Sequence, residues 1–323
     1  TRSSCGLHER VKSFVETDTS GAINLSDFLS YRYFDHETSI FLNDEGCSGF
    51  VLEISPIVGA DDTVVKNIEY FFNNDFEYGS TIQFLLIASH DITEMLAIWS
   101  KARKNQDPLI HGLTTKRKEF LHKLSRNIEG SDGRIARNFR IIVSYSNCSK
   151  EQSEILKMKA SLNSMRQRFQ NLNLHTRICN AGDLIDICNE ILYPDLKSDV
   201  KFDTAASYDA NNPICNQIGS AKSKLVLKSG QILNPDHDIA FRSYFVKEFP
   251  QEFSLNNAIS MLGDSSRPSM ALSARFCISY SVKNCVSTSV QKALINKGEK
   301  VIDASEQWYS KNNRDLKREA SEW

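Results

Sequence analysis

Apolar residues along this chain change period repeatedly, and each change marks an element. Residues 39–42 and 49–56 (GFVLEISP) are short and rich in Ile, Phe, Val and Leu, the composition of strands. Asn43, Asp44 and Gly46 between them supply turn chemistry, so the two read as a hairpin. A break at 59–62 follows, with Asp61 or Asp62 placed to cap a helix whose Val65, Ile68, Phe71 and Phe72 recur at helical spacing. Residues 81–89 (TIQFLLIAS) form the next strand. Asp91-Ile-Thr-Glu94 then opens a helix through Met95, Ile98 and Trp99. Strand character returns at 138–146 (NFRIIVSYS), and a helix over 151–172 carries Ile155, Met158, Leu162, Met165 and Phe169 along one face. A strand at 175–179 and a helix at 183–192 close this part.

Set in order, 49–179 reads strand, helix, strand, a basic helical insertion at 101–136, strand, helix, strand. Without the insertion this is the split βαβ pattern of a ferredoxin-like unit. The insertion should project from the sheet, and the strands at 81–89 and 138–146 should pair directly. The fold class expected is α+β: an N-terminal domain over 1–193, a linker over 194–220, and a second, smaller α+β subdomain over 221–323. The linker carries Pro194, Pro213 and Asn211-Asn212 among few large apolar residues. Strands are predicted at 222–227, 239–249 and 274–282, and a helix at 255–262. From Ser287 the chain becomes a charged helical tail that stops at Trp323 with no cap or turn, which suggests a cut helix; the opening on Thr1 agrees with a trimmed chain.

Charge changes this picture locally. The whole chain of 323 residues balances 39 basic against 40 acidic residues, which argues against a dedicated nucleic-acid binder. Residues 1–100 nevertheless hold 16 acidic and 5 basic residues, whereas 101–140 hold 11 basic and 4 acidic. Lys116, Arg117, Lys118, Lys123 and Arg126 fall within about three turns of one predicted helix at 116–128. Lys116 and Lys123, seven apart, should share a face with Arg126 close by. These five residues are the candidates for docking to an anionic membrane surface or an acidic partner. A solvated helix whose charges pair locally has the same composition.

Other chemistry is sparse. No apolar run approaches the roughly 20 residues of a membrane helix, and the first residues (TRSSCGLHERVKS) lack the features of a signal peptide. Eight cysteines are scattered with no CxxC pair, so reduced thiols are expected instead of disulfides or zinc, with Cys277 a small buried hydrophobe. A phosphate cradle needs spaced glycines before a lysine, and the nearest match, Lys297-Gly-Glu-Lys300, has Ala293 and Glu299 where Gly and Lys are required. His36 stands between Asp35 and Glu37, but alternate side chains of an extended segment point apart, so a solvated turn is the reading. No catalytic, cofactor-binding or metal-binding residue is therefore assigned.

The stretch YRYFDHETSIFLNDEGCSGFVLEISPIVGADD, residues 31–62, resembles the opening of the TraC family, the F-type branch of the assembly ATPases of conjugation and type IV secretion. TIQFLLIAS, PICNQI and RSYFVKEFP resemble it more loosely, with Cys215 where relatives are expected to carry a basic residue. The resemblance implies a longer protein whose carboxy-terminal RecA-like motor binds ATP and magnesium, and a non-catalytic amino-terminal part. That part would dock at the cytoplasmic face of the inner membrane, contact the secretion-channel subunits there, and help the ATPase to self-associate, with no direct contact to nucleic acid. Two other classes remain open from the residues alone: a stand-alone enzyme using Cys47 or a histidine, and a ligand sensor built on the ferredoxin-like unit.

Overall fold

The computed structural model describes residues 23–24, 26, 28–56, 62–101, 103, 107–125, 135–148, 154–192, 208–219, 224–228, 231–234, 239–245 and 275–285. The chain divides into two compact units, 1–60 with 83–280 and 61–82 with 281–323. The larger sheet uses strands β2 (Tyr31–Asp35), β3 (Ile40–Asn43), β4 (Cys47–Ile54), β5 (Thr81–Ser89), β6 (Asn138–Cys148), β7 (Thr176–Ile178) and β11 (Phe276–Lys283). Its order is β11-β5-β6-β4-β3-β2, with β7 also beside β4. The fold is α+β, with antiparallel ladders joining β2 to β3, β3 to β4, β4 to β6 and β4 to β7.

β4 is central because its sequence permits it. CSGFVLEI is apolar on both sides of the pleat, so it is buried along nearly its whole length. Its long ladder with β6 needs close backbones at Gly49, where an added Cβ would lie 2.5 Å from the Tyr145 carbonyl oxygen. On one face Val51, Ile142 and Ile87 join Phe34 and Phe41 beneath helix α5 (Ala181–Leu192), which contributes Leu184, Ile185 and Ile187. On the other, Phe50 stacks on Tyr145 with ring centres 5.2 Å apart. Helix α4 (Glu154–Asn171) packs on β3, β4 and β7 and buries Met158, Leu162 and Met165. Helix α5 starts on a reciprocal cap: the Asp183 amide donates to Asn180 Oδ1 at 2.9 Å, and the Asn180 amide donates to Asp183 Oδ2 at 2.8 Å.

An ion network fastens α5 to the sheet. Arg140 on β6 donates to Glu53 on β4 at 2.7 Å and to Glu190 on α5. Arg177 on β7 donates to Glu53 and to Asp183, both at 2.5 Å. Burial opposes ionisation of Glu53, but hydrogen bonds and charge from Arg140 and Arg177 outweigh it and hold the carboxyl below its ordinary range. The unfolded chain therefore takes up the Glu53 proton more readily. The stability from this group is complete above the unfolded glutamate value near 4.5 and is lost as pH falls through the lowered folded value. Denaturant midpoints measured from neutral pH downwards should fall in that acid range. Glu53→Gln should flatten the slope and lower the neutral-pH midpoint.

Several expectations change here. Cys47 and Cys148, 101 residues apart, face each other at the end of the β4–β6 ladder and form a disulfide, so the thiols are not all reduced. Strand register makes that pair, and sequence spacing carries no trace of it. Cys277 is exposed on β11, not buried. Residues 208–219, assigned by composition to the linker, pack against the core: Pro213 leads into a tight turn that buries Ile214 and Cys215, and Ile218 follows. Arg32 anchors this turn by pairing with Asp44 at 2.6 Å and donating to Cys215 Sγ at 2.7 Å. A second sheet has the order β1-β8-β9-β10, from Ile23–Asn24, Lys224–Lys228, Gln231–Asn234 and Ile239–Phe241. Its first strand comes from the start of the chain, so residues 221–323 do not form it alone. The predicted helix at 255–262 and the helical tail from Ser287 lie outside the described residues.

The second unit is described over 62–82 and 281–285. Helix α1 (Asp62–Tyr70) widens into a π turn at Phe71–Asp75, where Phe71, Phe72 and Phe76 cluster with ring centres 5.3 to 6.2 Å apart. Asn284 closes it: its amide donates to Ser80 O at 2.9 Å and its carbonyl accepts from Gly79 N at 2.9 Å.

Candidate docking surface

Between β5 and β6, which are neighbours in the sheet, the chain leaves it to form helices α2 (Thr93–Lys101) and α3 (Pro108–Ser125). The described helices of this stretch thus lie outside the sheet, between two strands that are neighbours in it. Helix α3 begins earlier than its basic residues suggest. Asp107 caps it, accepting from the Leu109 amide at 2.8 Å, and Pro108 occupies the first helical position, where a missing N–H costs nothing. Helix α2 packs against α3, and the Ala136 amide donates to Leu124 O at 3.3 Å at its far end.

Lys116, Arg117 and Lys123 are exposed, and Lys118 is half-buried. None of the four forms an ion pair with a described residue. Arg126 lies outside the described residues. Not every basic residue of 101–140 adds to this surface. Arg140 is consumed in the network under α5, Arg137 lies over the Phe276 ring at 5.1 Å, and Arg103 stacks on Trp99 at 4.4 Å. The positive patch is therefore the outer side of α3.

That side also carries residues that a search for charge passes over. Leu109, Leu113 and Phe120 are 67%, 57% and 52% exposed. Thr114, Lys118, Leu121, His122, Leu124 and Ser125 are covered, so α3 turns four of its six large apolar side chains outwards (Leu109, Ile110, Leu113 and Phe120) and covers two, Leu121 and Leu124. The signal was present in Asp107-Pro108, which extends the helix back to include Leu109 and Leu113.

Other candidate groups lead elsewhere. His36 is exposed in the turn after β2, its ring edge-on to Phe34 at 5.0 Å, and Cys47 is tied up with Cys148. Burial pushes the thiols of Cys179 and Cys188 up to about 12, which leaves them un-ionised and unreactive. Among the described residues, no group of three His, Cys, Asp or Glu side chains is placed to hold a metal ion. No helix among them is long and apolar enough to cross a membrane.

A family model described as TraC protein matches residues 25–323, which takes in the basic helix α3 and every described strand except β1. The chain belongs to the TraC family. It is also similar to Protein TraC of Escherichia coli (strain K12), at 25% identity over 178 residues. That match covers 52% of this chain and 20% of the relative, so the TraC-family chain corresponds to about a fifth of that protein's length.

Proposed function

We propose that this TraC-family chain is the docking and assembly part of a conjugation ATPase, which holds the motor at the inner-membrane channel and carries no nucleotide chemistry itself. The observation that carries this reading is the family match over 25–323, together with the small share of Protein TraC that the chain accounts for. Bound ATP and magnesium would then belong to the remainder of the longer protein. The strand order β5-β6-β4-β7 with helices between supports a ferredoxin-like core, a scaffold on which inserted helices present contact surfaces. The exposed outer side of α3 is the surface we assign to docking at the channel and the membrane face, and self-association is assigned to the full-length protein.

The test is interference. Expressed in donor cells beside a working transfer system, the chain should occupy docking sites unproductively, and transfer frequency should fall as its amount rises. Unchanged transfer at high expression would overturn the docking reading. Calorimetry with ATP and magnesium should give no binding heat, and micromolar binding would overturn the non-catalytic assignment.

A further inference from the structure

We propose that α3 is one half of a coiled coil whose other half is an acidic amphipathic helix of a partner protein. This rests on the docking reading and names the chemistry of the partner. Leu109, Leu113, Lys116, Phe120 and Lys123 follow one another at intervals of four, three, four and three. That alternation keeps the five on one side of the helix, the three apolar residues forming the seam and the two lysines its edge. All five are exposed, while the opposite side of the helix is the one the rest of the chain covers.

The width of the seam separates the occupants. At about 100° per residue, Leu109, Leu113 and Phe120 fall within a band roughly 40° wide, half-buried Leu124 adjoins it, and Ile110, 36% exposed, lies about 60° outside it, past Arg117. Lys116 and Lys123 run along one border, and Arg117 lies on the other. A helix resting on a bilayer needs a far broader apolar face, about 100° or more. A band this narrow fits the groove of one other helix. A second copy of α3 fits it poorly: antiparallel pairing centred on the seam sets Lys116 against Lys116, and parallel pairing sets each lysine beside its twin. A helix with its own apolar seam and carboxylates along both borders would meet the leucines, the phenylalanine and the three cations together.

The probe is a synthetic helix with Leu at its a and d positions and Glu at e and g, compared with a twin carrying Lys at e and g. Fluorescence anisotropy with the intact chain should show the Glu probe binding roughly tenfold more tightly. Lys116→Glu with Lys123→Glu should reverse the preference. Leu113→Ser with Phe120→Ser should abolish binding of both probes without moving the unfolding midpoint, because both side chains are exposed. Binding indifferent to probe charge, or to the serine variant, overturns the proposal. Sedimentation with anionic vesicles that the serine variant loses would assign the face to lipid instead, and a dimer that it loses would assign the face to a second copy. A chain that suppresses transfer yet ignores both probes keeps the docking reading and loses the coiled coil. A chain that binds the Glu probe but leaves transfer untouched does the reverse.

Discussion

Arg140→Ala is expected to cost the fold about 3–5 kcal/mol, the range for removing one partner of a buried ion pair. The Arg140 side chain is 17% exposed, and its partners Glu190 and Glu53 are 8% and 21% exposed. Glu53 keeps a second cation in Arg177, whereas Glu190, on α5, loses the Arg140 guanidinium. The loss should therefore appear first as loosening of α5, with early hydrogen exchange along Ala181–Leu192. Arg140→Met combined with Glu190→Leu should recover most of the stability, because well-packed apolar side chains replace a buried ion pair at little cost. If the double variant is no more stable than the single one, the network is not what holds α5.

Gly49→Ala carries the second large effect, about 1–3 kcal/mol. Its Cβ would lie 2.5 Å from the Tyr145 carbonyl oxygen and 3.2 Å from Ser146 Cβ. Neither neighbour yields cheaply: the oxygen is backbone, and the Tyr145 ring is stacked on Phe50 and 2% exposed. The β4–β6 ladder must spread there or the strand must bulge. A denaturant midpoint within error of the parent would show that the ladder relaxes freely at this point. A change at exposed Leu156, 72% exposed, should do almost nothing by comparison.

What was legible in the residues was local. The strands at 81–89 and 138–146 and the helix face of Met158, Leu162 and Met165 follow from periodicity, which reports one element at a time. Pairings between distant segments left no such mark. Ile23–Asn24 joins a sheet with Lys224–Lys228, and Cys47 meets Cys148, only because the register of whole ladders brings them together. The strand Tyr31–Asp35 was read only as a family signature, although Tyr31, Tyr33 and Phe34 are strand-forming residues. On α3 the lysines were found because charge is visible in composition. Most of the apolar seam, Leu109 and Leu113, lies N-terminal to those lysines, in the turns that the Asp107 cap and Pro108 add to the helix.

The shared edge of β4 has a consequence during synthesis. Its first half pairs with β3, which is made just before it, but its last residues, Leu52 to Ile54, wait for Thr176–Ile178. Glu53 and Arg177 are 124 residues apart, which at about 5–20 residues per second is a delay of roughly 6–25 s on the ribosome. Through that interval a strand that ends up buried along nearly its whole length presents open backbone groups at this edge. A chaperone that shields extended apolar segments should engage this protein while it is being made, and release it once α5 has emerged.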